Sequence, residues 1–177
     1  PSVMFARHDA MVAHEYFVRA LGIEESNIYL RTDRDATQGE FRKVFDPDQG
    51  WLAKRIKPEK TEVFIYFVGH GAPDPRTRDA YLVPSDGDPN YPATSFRLDE
   101  LYRSLNRMPA KNVTLIIDAC FSGQVGRGSQ MEMLLAGARG IGVESRFVEI
   151  GPHLIVLTAA HGNQVSSSYP EMSHGLF

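Results

Sequence analysis

Two short, nearly unbroken apolar runs, Val63 to Val68 and Val113 to Ile117, limit what this chain can fold into more than any other feature. Each is strand-length and rich in β-branched or aromatic residues, and neither shows the apolar/polar alternation of a half-exposed strand. Both faces of each run therefore have to be buried. Between them lies "LDELYRSLNRM" (98–108), which sets Leu98, Leu101, Tyr102 and Leu105 on one helical face. Strand, helix and strand in that order predict two parallel strands joined by a crossover.

The flanking sequence extends the pattern. Ala10, Ala13, Phe17, Ala20 and Leu21 recur at helical spacing, with Asp9 placed to cap the start and Gly22 the stop. "NIYLRTD" (27–33) reads as a short strand, and Thr37 with Glu40 forms a capping box for a helix carrying Phe41 and Val44, broken at Pro47. "QGWLAKRIK" (49–57) reads as a further helix and "HLIVLTAA" (153–160) as the last strand. The expected fold is an α/β domain with a mostly parallel sheet.

Length and composition agree with one such domain over 1–177, since 177 residues with 42% hydrophobic content suffice for a continuous core. Nineteen basic against 22 acidic residues leave no cationic excess to attract nucleic acid or an anionic membrane. A single cysteine excludes an internal disulfide, so a reducing, cytoplasmic setting is the default. No Cys/His cluster has zinc spacing and no apolar run approaches the roughly 20 residues of a membrane helix. Neither a metal nor another cofactor is expected.

In open parallel sheets, ligands gather where the strands end at their carboxyl side. One buried run leads into Gly69-His70-Gly71, and the other into Asp118-Ala119-Cys120. If the strands are parallel neighbours, His70 and Cys120 share a rim. An imidazole beside a thiol can take its proton and generate the nucleophilic thiolate. The glycines let substrate approach the backbone, and the amides of Gly71 and Cys120 are the natural donors to a developing oxyanion. Taken singly, each residue has a plainer reading, Cys120 as a small buried hydrophobe and His70 as a loop histidine. Their matched positions at two strand ends favour chemistry.

"YFVGHG" followed about 50 residues later by "LIIDACFSG" resembles the catalytic pair of the caspase-like cysteine peptidases. The Asp-Ala-Cys form is closest to metacaspases, paracaspases and their bacterial relatives. "HDA" at the first helix, "DAYLVPSDGD", "LDELYRSL" and "GNQVSSSYPEMSHGLF" add weaker likeness. The resemblance implies a caspase-like three-layer sandwich, with a central sheet flanked by helices. It also implies a His70–Cys120 dyad that cleaves protein or peptide substrates through an acyl-enzyme.

By the same resemblance, Asp9 and Asp118 occupy the places of pocket acids that bind a basic side chain, so cleavage is expected after Arg or Lys. Asp9 as a helix cap and Asp118 as a strand-end residue bonded to nearby amides are alternatives compatible with that role. A third pocket acid found in some relatives is missing, since 161–169 contains no Asp or Glu. Asp79 and Asp99 lie near two positions that supply calcium ligands in several metacaspases, but Leu98 and Arg127 stand at the others. Calcium needs about six to eight oxygen ligands, so no metal site is assigned. "PSDGDPN" (84–90) lacks EF-hand spacing and reads as a turn.

The Gly- and Ser-containing stretch 121–150 reads as a mobile loop, where relatives often carry a self-processing site. Arg127, Arg139 and Arg146 are the candidates. Family members open on an apolar strand before the first helix and continue past a "GLF"-like sequence. The resemblance thus implies a fragment of a longer chain, lacking the first strand and the C-terminal end, with further domains or another chain completing the sheet. Other readings are a caspase-fold peptidase with loop-determined specificity, a catalytically silent scaffold or interaction domain, and a flavodoxin-like binding domain. The last has no explanation for two Gly-flanked rim residues and lacks a phosphate loop.

Overall fold

The computed structural model describes residues 3, 5–74, 77, 79–89, 91–119 and 150–159, and the backbone of 168–169 and 174–175. Along the chain run α1 (Ala6–Arg19), α2 (Gln38–Phe45), β1 (Glu62–Val68), β2 (His70–Pro73), β3 (Ala80–Val83), β4 (Phe96–Arg97), α3 (Leu98–Arg107), β5 (Asn112–Asp118), β6 (Leu154–Thr158), β7 (Ser168–Tyr169) and β8 (His174–Gly175). The two apolar runs are β1 and β5. They pair in parallel from Glu62↔Asn112 to Val68↔Asp118, and β6 adds to the other side of β5, also in parallel.

Helices cover both faces of this sheet. Val63, Ile65 and Phe67 of β1 and Val113, Leu115 and Ile117 of β5 point into the main core, which α2 and α3 close with Phe41, Leu101 and Leu105. Phe41 meets Phe67 at a centroid distance of 5.9 Å. The opposite face carries Phe64, Tyr66 and Val68 with Thr114, Ile116 and Asp118, since side chains alternate along a strand. There α1 packs on β1, with Phe17 and Phe64 at 6.1 Å.

Helix boundaries follow local chemistry. Thr37 Oγ1 accepts from the Glu40 amide at the start of α2, as the capping pattern predicts, and α2 stops two residues before Pro47. The expected Asp9 cap is corrected: α1 begins three residues earlier, so Asp9 sits in its first turn and is buried. Left-handed Gly22 (φ 67°) lies beyond the end of α1 at Arg19, where it turns the chain so that the Ile23 amide reaches the Phe17 carbonyl.

Two sequence expectations fail for lack of partners. Residues 27–33 are not a strand. Ile28 and Thr32 are extended, but no ladder forms here among the described residues, because β1 pairs only with β5. Side chains hold the segment instead: the Tyr29 hydroxyl donates to Glu40, and Arg31 Nε donates to the same carboxylate at 2.7 Å. The Tyr29 bond, then the Arg31 bond, hold the Glu40 carboxyl down at about 2. Residues 49–57 form successive turns rather than a helix, with bonds such as Lys54 N–H to Gly50 O and Arg55 N–H to Leu52 O. Between 28–34, α1 and β1 lies a largely apolar groove of about 1180 Å³.

A small antiparallel sheet, β2-β3-β4, was not foreseen from the sequence. It is tied to α3 by one arginine. Arg97 Nε and Nη2 both donate to the Asp99 carboxylate at 2.8 Å, and Nη2 lies 3.4 Å from Asp79. Asp79 also accepts from Thr77 Oγ1 at 2.9 Å, and its carbonyl accepts from the Asp74 amide at 2.8 Å, so the turn closing the β2–β3 hairpin is anchored to the start of α3.

Leu105 is fully buried where α3 meets the core face of the sheet. Leu105→Ala should cost about 2–5 kcal/mol, from lost burial plus the cavity left behind. Urea unfolding should show a lower midpoint with little change in slope, whereas a loss below about 1 kcal/mol would mean that α3 does not seal the core.

Candidate active site

The site starts from register. Val68 and Asp118 are Cα partners at the carboxyl ends of β1 and β5, so the two strands leave the sheet level with each other. The Gly69 amide extends the ladder by donating to the Asp118 carbonyl at 3.1 Å. A Cβ on Gly69 would lie 2.9 Å from Phe67 Cζ, so only glycine fits without moving that ring. Past this turn the chain enters β2 with His70 as its first residue.

His70 is half-buried, and its Nε2 is shielded from solvent with no hydrogen-bond partner among the described residues. Burial pushes its pKa below the ordinary imidazole value, so the ring favours the neutral form that can accept a proton. Cys120 lies two residues beyond Asp118, as His70 lies two beyond Val68, but Cys120 is outside the described residues. Ala119, the last described residue before it, is buried.

The direction of the Gly71 amide follows from strand pairing. Asp74 N–H donates to Asp79 O, making 74/79 a hydrogen-bonded position of the antiparallel ladder. Bonded pairs alternate with non-bonded ones, so Ala72↔Tyr81 and His70↔Val83 are bonded while Gly71↔Leu82 and Pro73↔Ala80 are not. The Gly71 N–H therefore points away from β3, toward the outer edge of β2, which carries no strand among the described residues. Pro73 fits the same phase, because it has no N–H to give.

Asp9 and Asp118, the two acids expected to bind a basic side chain, are both buried and share one neighbour. Asp118 ends β5 on the face where α1 packs, and Asp9 is in the first turn of α1. Tyr66 of β1 lies on that same face, one strand pitch from Val68. Burial and then the negative charges of Asp118 and Asp9 push its hydroxyl pKa upward. Sequence reading passed over Tyr66 as one more residue of an apolar run. Its signal was the single hydroxyl in "VFIYFV".

Elsewhere, Leu98 is a core residue, and Asp79 and Asp99 are bridged by Arg97, a cation the sequence reading did not weigh. Among the described residues no group of three His, Cys, Asp or Glu is placed to hold a metal. "PSDGDPN" turns as expected, with Gly87 N–H bonded to Pro84 O at 3.0 Å. Arg127, Arg139, Arg146 and nearly all of 121–150 lie outside the described residues. No helix among the described residues is long and apolar enough to cross a membrane.

A search of curated proteins found no match. The family model described as the caspase domain matches residues 4–177. With that match spanning nearly all of an α/β chain built on a parallel sheet, the protein belongs to the caspase-domain family of cysteine peptidases.

Proposed function

We propose that the chain is a cysteine endopeptidase that cleaves after Arg or Lys, with Cys120 as nucleophile and His70 as its base, closest in style to metacaspases and paracaspases. The observation that carries this reading is the level ending of β1 and β5, with a neutral, half-buried His70 just past one strand and the chain leading to Cys120 just past the other. In the first step the Cys120 sulfur bonds to the substrate carbonyl carbon while His70 takes the thiol proton. The outward Gly71 amide and that of Cys120 donate to the oxyanion. Collapse breaks the C–N bond, His70 returns the proton to the leaving amine, and water then hydrolyses the thioester.

Specificity rests on Asp9 and Asp118. Two buried carboxylates acting on the same tyrosine support a pocket for a guanidinium, held bidentately, or for an ammonium. Arg127, Arg139 and Arg146 are then the residues at which the chain would cut itself. The groove beside β1 supports a partner role as well. Extended, largely apolar polypeptide from a further domain or another chain would find a strand edge on one wall and the extended segment 28–32 on the other.

Three outcomes test the reading. Cys120→Ala should abolish turnover and labelling by a thiol-directed probe, and His70→Ala should slow turnover by about two to four orders of magnitude. Because burial holds His70 below its usual pKa, it remains a competent base until the pH falls below about 6.5, so the acid limb of kcat/KM for a Leu peptide should lie under that value. Peptide cleavage near the wild-type rate by either variant would refute the dyad, whereas no cleavage by the wild type would favour a silent scaffold.

Asp9→Asn and Asp118→Asn should each lower kcat/KM for Arg peptides by roughly 30- to several-thousand-fold, matching about 2–5 kcal/mol, while Leu peptides change little. A preference for Asp before the scissile bond, or an Arg preference that survives both substitutions, would leave a cysteine peptidase of other specificity. Since Arg97 already neutralises Asp79 and Asp99, millimolar calcium should alter activity no more than magnesium at equal ionic strength. Saturable, chelator-reversible activation by calcium would contradict this.

A further inference from the structure

The hairpin that carries His70 and Gly71 belongs to the sheet β2-β3-β4, which among the described residues shares no ladder with the parallel one. Side chains therefore have to fix its orientation on the domain. One attachment is apolar. Leu82 and Phe96, paired across β3 and β4, are buried in the main core, and Leu82 is the ladder partner of Gly71. Toward the turn, Ala80 adds only a methyl group to that core. A short ribbon held chiefly at Leu82 can tilt about it, moving the Gly71 amide without breaking any of the ribbon's own bonds.

The second attachment is ionic and lies at the turn. The Asp74 amide donates to the Asp79 carbonyl at 2.8 Å, the Thr77 amide donates to Asp74 Oδ1 at 3.3 Å, and Thr77 Oγ1 donates to Asp79 Oδ2 at 2.9 Å. The turn is thus one unit gathered around Asp79. Arg97 reaches it from the junction of β4 and α3: Nη2 lies 3.4 Å from Asp79, while Nε and Nη2 fork onto Asp99 in the first turn of α3, each at 2.8 Å. The side chains of Asp79 and Asp99 are only 8% and 11% exposed, so screening of these contacts by water and salt is weak. Arg103 also meets Asp99, at 2.9 Å, from the exposed side of α3. Asp99 keeps that cation in any case, so the distinctive contribution of Arg97 is the bridge to the turn.

We propose that Arg97 is a positioning residue for the reaction, fixing the tilt of the β2–β3 hairpin through Asp79 and so holding the Gly71 N–H where the oxyanion forms. This rests on the dyad and oxyanion roles proposed above. The His70 end of the hairpin has other holds, because the Gly69 amide is bonded to the Asp118 carbonyl and the Ser85 amide to the Ala36 carbonyl. Loss of Arg97 is therefore felt at Gly71 more than at His70.

The test compares wild type, Arg97→Leu, Asp79→Asn and Arg103→Ala by kcat and KM for one peptide, by the rate at which iodoacetamide alkylates Cys120, and by the urea midpoint. Alkylation needs the His70–Cys120 pair but no oxyanion donor, whereas turnover needs both. In Arg97→Leu, kcat should fall about 10- to 100-fold, with KM and the alkylation rate within about twofold of wild type. Asp79→Asn should lose kcat in the same way, and adding it to Arg97→Leu should cost little more, because both break one link. Arg103→Ala should match wild type. An unchanged kcat in folded Arg97→Leu would overturn the proposal. So would a parallel fall in turnover and alkylation, which shows a loosened rim rather than a displaced donor. If Arg97→Leu does not fold, Asp79→Asn is judged by the same two outcomes. A wild type that cleaves no peptide, or whose alkylation is indifferent to His70→Ala, would show instead that the dyad reading has failed, and this inference would fall with it.

Discussion

The parallel ladder between β1 and β5 is the constraint on which the rest depends. Its register, Val68 against Asp118, decides which residues leave the sheet together and which side chains share a face. A slip of β5 by one residue would move Asp118 to the core face, away from the side on which α1 buries Asp9. That slip is prevented by the core itself. Val113, Leu115 and Ile117 are fully buried against α2 and α3, and turning them outward would expose three large apolar side chains. The packing that stabilises the domain is thus what sets the position of its chemistry.

Cost and use sit close together at this rim. Burying Asp9 and Asp118 is unfavourable unless partners or a ligand offset it, and both have interactions within the protein. Burying His70 lowers its affinity for a proton, which favours the neutral ring over the cation. The Arg97 cluster differs, since its carboxylates meet a resident guanidinium. One group of acids is neutralised within the fold, and the other is the pair we propose to receive a cation from outside.

Much of this was legible in the sequence because unbroken apolar runs leave so plain a signature, although Phe64 of β1 and Ile155 and Leu157 of β6 prove to be exposed. The runs that became β1, β5 and β6, and the stripe of Leu98, Leu101 and Leu105, needed no tertiary knowledge. What sequence misjudged depended on neighbours. Residues 27–33 have strand composition but no paired neighbour, and 49–57 have helical spacing but close as turns. The β2-β3-β4 sheet was missed because its strands are two to four residues long, too short to show a period. Asp9 was legible as a functional candidate, while its burial one turn inside the helix was not. Arg97 was invisible because its importance comes only from what the fold brings beside it.

Pro73 gives the outer edge of β2 an unusual character. The backbone donors facing outward along this strand are those of alternate residues, and Pro73 deletes the one that would follow Gly71. What remains is a solitary N–H rather than a row. A lone donor can hold one oxygen atom, but it cannot template a second strand, which needs a bond at every other residue. An extended peptide lying across this edge would find a single main-chain donor, at Gly71, beside the outward carbonyls of Gly71 and Pro73, so any ladder along it would be broken on its donor side.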